Sequence, residues 1–244
     1  MRIIREIIQF VVNLIFPPRC IFCHKFLEPN CKSRVCGECF NHIDFCADSV
    51  CCVKCGKPIV SYDRKQQCYF CSNEKTKWFN RIVSVFTYEG AAKEAILRFK
   101  SKGLNGYAEA FSDCMMVSIN DEYKDIVFDC IVGAPPHNTK KGFDQTDLLC
   151  KKLSHKLNIP YKKNALYHIR PVKKQINLGF NERRINMLYS LALRKNIDVA
   201  DKSVLLVDDI CTTRSTLMDC SRCLKKGYAK SVYAITVATV KNPN

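Results

Sequence analysis

The 244-residue sequence has no apolar run approaching the roughly 18 residues that a membrane-spanning helix needs, so no such span is expected. Gly and Pro number only 9 each, too few for a collagenous or low-complexity chain. Acidic side chains are scarce: 23 Asp and Glu face 39 Lys and Arg, a formal charge of +16. Leu, Ile, Val and Phe are abundant enough to exclude intrinsic disorder. A cleavable export signal is missing, because residues 1–16 carry Glu6, Gln9 and Asn13 inside the apolar run and continue into Pro17-Pro18. The histidines have no ligand-like spacing, so His137, His155 and His168 read as surface or helix residues. These absences leave a basic, globular protein expected in the cytoplasm, a reducing compartment.

The first sixteen residues place Ile4, Ile7, Ile8, Val11, Val12 and Ile15 at helical spacing, with Arg2, Arg5, Glu6, Gln9 and Asn13 opposite. The expectation is an amphipathic helix over 1–18 whose apolar face packs on the protein's own body. Peripheral contact with the inner membrane is the alternative, kept open by Arg2 and Arg5.

Cysteine is plentiful, at 17 residues, and eleven of these fall between Cys20 and Cys71. Eight form four CxxC pairs: Cys20 and Cys23, Cys36 and Cys39, Cys52 and Cys55, Cys68 and Cys71. Two intervening residues let a tight turn aim both sulfurs at one ion, and two such turns close a tetrahedral structural zinc site. Twelve residues separate Cys23 from Cys36 and also Cys55 from Cys68, a spacing that looks like two tandem zinc ribbons. The natural pairing joins the first four ligands and the second four, although crossed pairing satisfies the spacing too. Cys31, Cys46 and Cys51 are left over. Residues 19–75 hold few apolar side chains, so zinc, as one or two structural ions, is expected to supply their folding energy.

Beyond Trp78, residues 76–244 alternate strand and helix patterns. Strands are expected at 81–88, 128–134, 203–208 and 231–240, and helices at 91–100, 107–118, 144–157 and 216–226. That order predicts an α/β domain with a mainly parallel sheet flanked by helices and a ligand at the strand C-termini. The most informative segment runs from Val204 to Leu217: four apolar residues deliver Asp208 and Asp209, and a hydroxyl-rich turn then opens a helix. Backbone N–H groups and the hydroxyls of Thr212, Thr213, Ser215 and Thr216 can cradle a phosphate, while the two carboxylates accept from two ribose hydroxyls. The plainer reading is a buried strand followed by a helix capped by Thr213 or Ser215.

These residues closely resemble the phosphoribosyl diphosphate (PRPP) motif of type I phosphoribosyltransferases. The four CxxC pairs, Phe99 to Gly103, Lys141 to Gln145, and Gln175 to Leu178 followed by Glu182 to Asn186 resemble the ComF family. That family joins a double zinc ribbon to a phosphoribosyltransferase-like domain, and members related to ComFC support natural transformation by handling single-stranded DNA. The resemblance implies that Asp208 and Asp209 hold the ribose hydroxyls and that Thr212, Thr213, Ser215 and Thr216 hold the 5′-phosphate. Lys100 and Lys102 would face the pyrophosphate, with Lys140, Lys141, Phe143 and Gln145 in a later basic loop. Gln175, Arg183 and Asn186 match a segment over the site.

Two departures stand out. Arg214 occupies the place of a family glycine, where it either strains the loop or sends a guanidinium to the phosphate. Gly133 to His137 replaces a strand end followed by basic residues. Both changes suit a site that binds phosphate without turning PRPP over.

The basic surplus gathers at Arg98, Lys100 and Lys102, at Lys140 and Lys141, along Lys151, Lys152 and Lys156, and at Arg183 and Arg184, with Phe143 and Tyr161 interleaved. Such a pattern suits a single strand. The expected nucleic-acid surface comprises Lys140, Lys141, Phe143, Gln145, Arg183 and Arg184. The expected function is that of a DNA-uptake accessory protein binding single-stranded DNA on a PRPP-type fold, with the uptake machinery at the inner face of the membrane as a further partner. The alternative is an active transferase taking PRPP with Mg²⁺ and a base or amine.

Overall fold

The computed structural model describes residues 10–29, 31, 34–43, 45–46, 49–59, 66–73, 78–102, 105–136, 144–170 and 189–241. Two short helices, α1 (Gly37–His42) and α2 (Tyr69–Asn73), belong to the cysteine-rich segment. Then follow β1 (Arg81–Thr87), α3 (Gly90–Lys102), α4 (Asn105–Glu122), β2 (Cys130–Gly133), α5 (Gln145–Leu157), β3 (Leu166–His168), β4 (Leu191–Leu193), β5 (Ser203–Cys211), α6 (Ser215–Lys226) and β6 (Ser231–Thr239).

β1, β6, β5 and β2 form a parallel sheet in that order, so β5 is internal. Val204 to Val207 have no exposed surface, because a parallel strand is covered on both faces. Their side chains alternate: Leu205 and Val207 join a core with α3, α4 and α5, whereas Val204 and Leu206 join one with α6 and the antiparallel β3–β4 ribbon. That ribbon escapes sequence reading because each strand has only three residues.

The cysteine-rich segment is not cored by metal alone. Cys20, Ile21 and Phe22 enter the first core, where the Phe22 ring meets Phe86 at 5.7 Å and Phe111 at 6.5 Å. Cys52, Cys55 and Cys68 enter the second. The knuckles repeat one local design: Cys20 N–H donates to the Lys25 carbonyl and Cys52 N–H to that of Lys57, with His24 (φ 61°) and Gly56 (φ 65°) in matching left-handed turns. At Gly56 a Cβ would lie 2.6 Å from the Ile82 carbonyl oxygen, so glycine lets the second knuckle sit against edge strand β1. The Ile82 N–H donates to the Lys54 carbonyl at 2.9 Å across the same contact.

The N-terminal expectation is reversed over the described part. Residues 10–15 are helical, but Phe10, Val11, Val12, Leu14, Ile15 and Phe16 are exposed and Asn13 is buried. Its amide donates to the Pro29 carbonyl at 2.8 Å, so a polar anchor rather than the apolar face turns inward. Residues 1–9 lie outside the described residues.

Candidate functional site

β2 stops pairing at Gly133, opposite Val207, but β5 continues along β6 to Cys211. The strand therefore runs four residues past its apolar run, and Asp208 and Asp209 emerge beyond the end of β2. Lys100, from the last turn of α3, places Nζ 2.7 Å from Asp209 Oδ2. Gln145 opens α5 and donates from Nε2 to the Lys100 carbonyl at 2.9 Å. Expected on the nucleic-acid surface, Gln145 thus also ties two helix ends together beside the acidic pair. Asp144 caps α5 by accepting from the Asp147 N–H at 3.1 Å.

Burial, and then the adjacent Asp209 charge, push the Asp208 carboxyl up to about 8, while Lys100 pulls the other way. Asp144 is raised by burial, with Asp147 and Asp209 adding to the effect. Three carboxyl groups and one ammonium thus share the C-terminal edge of the sheet, the place where open α/β sheets bind ligands.

In the turn after β5, Thr213 Oγ1 lies 2.8 Å from Ser215 Oγ, both buried. Neither caps α6. The cap position belongs to Arg214 (φ 66°, ψ −4°), whose side chain makes no cap hydrogen bond. The first-turn N–H groups of α6 thus lack a side-chain cap and suit an anion.

Arg214 keeps the left-handed backbone that glycine would favour, and the expectation that its guanidinium reaches a phosphate is corrected. Nη1 donates to Cys71 Sγ at 2.9 Å, and the guanidinium stacks over the Phe70 ring at 5.6 Å. Arg214 is 5% exposed and turns into the second ribbon, against the Cys71 sulfur and the Phe70 ring.

The four sulfurs of Cys20, Cys23, Cys36 and Cys39 lie within 4.8 Å of one another, and so do those of Cys52, Cys55, Cys68 and Cys71. The Cys23–Cys36 and Cys55–Cys68 separations of 3.6 and 3.7 Å fit the edge of about 3.8 Å that a tetrahedron with Zn–S bonds of about 2.3 Å requires. Both sets fit structural zinc, in the uncrossed pairing. Cys31, Cys46 and Cys51 stand outside both sets.

Other expectations fall elsewhere. Lys140, Lys141 and Phe143, along with Gln175, Arg183, Arg184 and Asn186, lie outside the described residues. Lys102 ends α3, and its side chain is likewise outside them. Lys152 and Lys156 pair with Glu109, and Lys156 with Asp113 at 2.7 Å, so these lysines form a seam between α5 and α4. Lys151 pairs with Asp147 one turn away.

Sequence reading missed a buried clamp. Asp219 on α6 accepts from the N–H groups of Ser190 (2.8 Å) and Leu191 (2.9 Å) and from Arg222 Nε (2.7 Å). Arg222 in turn donates to the Leu191 carbonyl at 3.0 Å. The i, i+3 Asp–Arg spacing was its one visible signal.

Family comparison agrees with this architecture. The double zinc ribbon domain matches residues 11–72 and the phosphoribosyl transferase domain residues 148–243. The chain thus resembles a double zinc ribbon followed by a phosphoribosyltransferase-type domain. Its homologues include Competence protein F of Haemophilus influenzae, 28% identical over 216 residues, which cover 85% of this chain and 91% of the relative. The DNA utilization protein YhgH of Escherichia coli is 26% identical, covering 76% and 82%. Competence protein ComFC of Bacillus subtilis is 26% identical, covering 86% and 85%. These homologues bear out the ComF-family resemblance. Among solved structures, a purine phosphoribosyltransferase from Pyrococcus horikoshii is 21% identical with a TM-score of 0.36, covering 53% of this chain and 73% of that one.

Proposed function

We propose that the protein serves DNA uptake as a cytoplasmic accessory that binds single-stranded DNA on a phosphate-binding fold of the phosphoribosyltransferase type. Homologues named for competence and DNA utilization support the uptake role. The observation that carries the binding reading is the uncapped start of α6 beside Lys100, whose helix end Gln145 ties to α5.

In this reading the α6 N–H groups and the hydroxyls of Thr212, Thr213, Ser215 and Thr216 hold a phosphate, and Lys100 adds positive charge. Lys140, Lys141, Arg183 and Arg184 would add phosphate contacts, which supply affinity, and Phe143 aromatic stacking, which tolerates any base. A DNA phosphate needs the loop but not the carboxylate pair, because an internal deoxynucleotide offers no free sugar hydroxyl.

The intact Asp208–Asp209 pair favours a second reading, in which the same loop takes PRPP. Asp208, Asp209 and Asp144 are hard oxygen donors suited to Mg²⁺, which would neutralise the diphosphate. Asp208 and Asp209 would accept from the 2′ and 3′ hydroxyls, and Lys100 would leave Asp209 for the pyrophosphate.

Fluorescence anisotropy of a labelled oligonucleotide, at low and physiological salt with Mg²⁺-PRPP as competitor, tests both readings. Salt-sensitive preference for single over double strands is the expected result, and displacement by PRPP would map the strand to the loop. Absence of binding at physiological salt rejects the DNA reading, and release of pyrophosphate from PRPP would establish the transferase.

A further inference from the structure

The contact between Arg214 and Cys71 joins two parts of the molecule that their chemistry keeps apart. Arg214 is the N-cap of α6 and sits inside the loop read above as the phosphate cradle. Cys71 closes the second cysteine set, and Phe70, under the guanidinium, belongs to the same knuckle. A non-glycine residue at φ 66° is strained, so a partner must hold it there. The partners present are the Cys71 sulfur, 2.9 Å from Nη1, and the Phe70 ring; among the described residues Nε has none.

Charge explains the choice. Four thiolates around one Zn²⁺ leave a net charge of −2, and a buried charge needs a counter-charge. Arg214, against the Cys71 sulfur, is one such counter-charge, and the 2%-exposed Lys57 lies in the same knuckle as Cys52 and Cys55. Zinc fixes the Cys71 sulfur in place opposite the guanidinium, so loss of the ion frees the anchor that holds Arg214 in the loop.

We propose that Arg214 is a positioning residue coupling the second zinc centre to the phosphate loop: zinc on Cys52, Cys55, Cys68 and Cys71 and a phosphoryl ligand on residues 212–216 strengthen each other's binding. Coupling between two sites is reciprocal, so it can be read from either end. The proposal rests on the reading of this loop as a phosphate site.

The test uses the full zinc-loaded chain and follows zinc release to a chromogenic chelator, with and without Mg²⁺-PRPP. In the wild type PRPP should slow the release of one of the two zinc ions and leave the other unchanged. Arg214→Gly keeps the turn, because glycine adopts this φ freely, but loses the sulfur contact. It should release that one zinc about tenfold faster, as the loss of a charge-assisted hydrogen bond predicts, and PRPP should no longer slow it. Arg214→Lys, with a single ammonium, should recover part of both effects.

Unchanged release in Arg214→Gly, or slowing by PRPP equal to that in the wild type, overturns the coupling while the phosphate reading stands. If PRPP binds no form of the protein, the PRPP reading of the loop fails, and amide exchange of residues 212–217 decides the coupling. Arg214→Gly must then both release zinc faster and exchange these amides faster in the loaded state. Failure of either result overturns it.

Discussion

Lys100 Nζ and Asp209 Oδ2 are 2.7 Å apart, though the two residues come from different elements and lie more than a hundred positions apart in the chain. The pair is partly exposed, with side-chain accessibilities of 36% and 18%, so it contributes little to stability. Its consequence is positional: an ammonium stands beside the acidic pair where a diphosphate would enter.

Lys100→Met should therefore leave the melting temperature within about 2 °C of wild type while weakening PRPP binding tenfold or more. Asp209→Ala separates the two ligands. It should abolish PRPP binding, because a ribose hydroxyl loses its acceptor. It should leave single-stranded DNA binding unchanged or tighter, because one negative charge has gone. Calorimetry with PRPP and anisotropy with an oligonucleotide on the same two variants check this. A parallel loss of both ligands in Asp209→Ala would show that the strand does not use the loop in the manner proposed.

Asp208 gives a pH dependence with a definite sign. Its ordinary value of 3.8 is raised to about 8 in the fold, so the folded state retains a proton that the unfolded chain gives up. The Asp208 contribution to stability is full below about 4 and is lost as pH rises toward about 8. Asp208→Asn removes that dependence, so its melting temperature should gain on the wild type between about pH 6 and 8. PRPP needs the carboxylate, so its binding should release a proton and tighten over the same interval. Calorimetry in buffers of different ionisation enthalpy counts that proton, and a pH-independent affinity would contradict the assignment.

How much of this was legible in the sequence depends on where each signal lies. Val204 to Asp209 declared themselves because a doubly covered strand must be continuously apolar and because two adjacent acids at its end are unusual. The four CxxC turns were legible for the same local reason, as their geometry is confined to four residues, whereas which two turns share an ion was left to the fold. The extension of β5 to Cys211 was not, since it depends on β6 continuing alongside. The Arg214 guanidinium had a phosphate and a thiolate cluster as competing partners, and only the folded arrangement shows that Cys71 lies within reach. At Asn13 helical periodicity pointed the wrong way, because one amide with a carbonyl partner outweighed the apolar stripe.

The buried Asp219–Arg222 pair should be the most sensitive polar contact outside the zinc centres. Asp219 is 1% and Arg222 8% exposed, and the carboxylate also holds three backbone N–H groups, of Tyr189, Ser190 and Leu191, at the start of β4. Asp219→Ala strands the guanidinium and those donors, and should cost about 3–5 kcal/mol in a denaturant titration. Arg222→Leu leaves the carboxylate with its backbone donors and should cost less. Equal and small losses in the two variants would mean that β4 is held by other contacts.

The lysine seam between α4 and α5 makes a last prediction about where DNA runs. A basic surplus attracts phosphate most where its charge is not already shared among several carboxylates, and Lys152 and Lys156 are engaged by Glu109 and Asp113 across the α4–α5 seam. Replacing both with Ala should change single-strand affinity by less than about twofold and leave the salt dependence unaltered. Each lysine that does contact a phosphate should reduce the slope of log affinity against log salt by about 0.7 for a single strand. Lys140→Ala with Lys141→Ala should therefore lower the slope by about 1.4 and weaken binding at every salt concentration, uniformly across sequences, as backbone contacts carry no base information. If the α5 pair alters the slope and the Lys140–Lys141 pair does not, the strand follows the outer face of α4 and α5 rather than the sheet edge at Asp208.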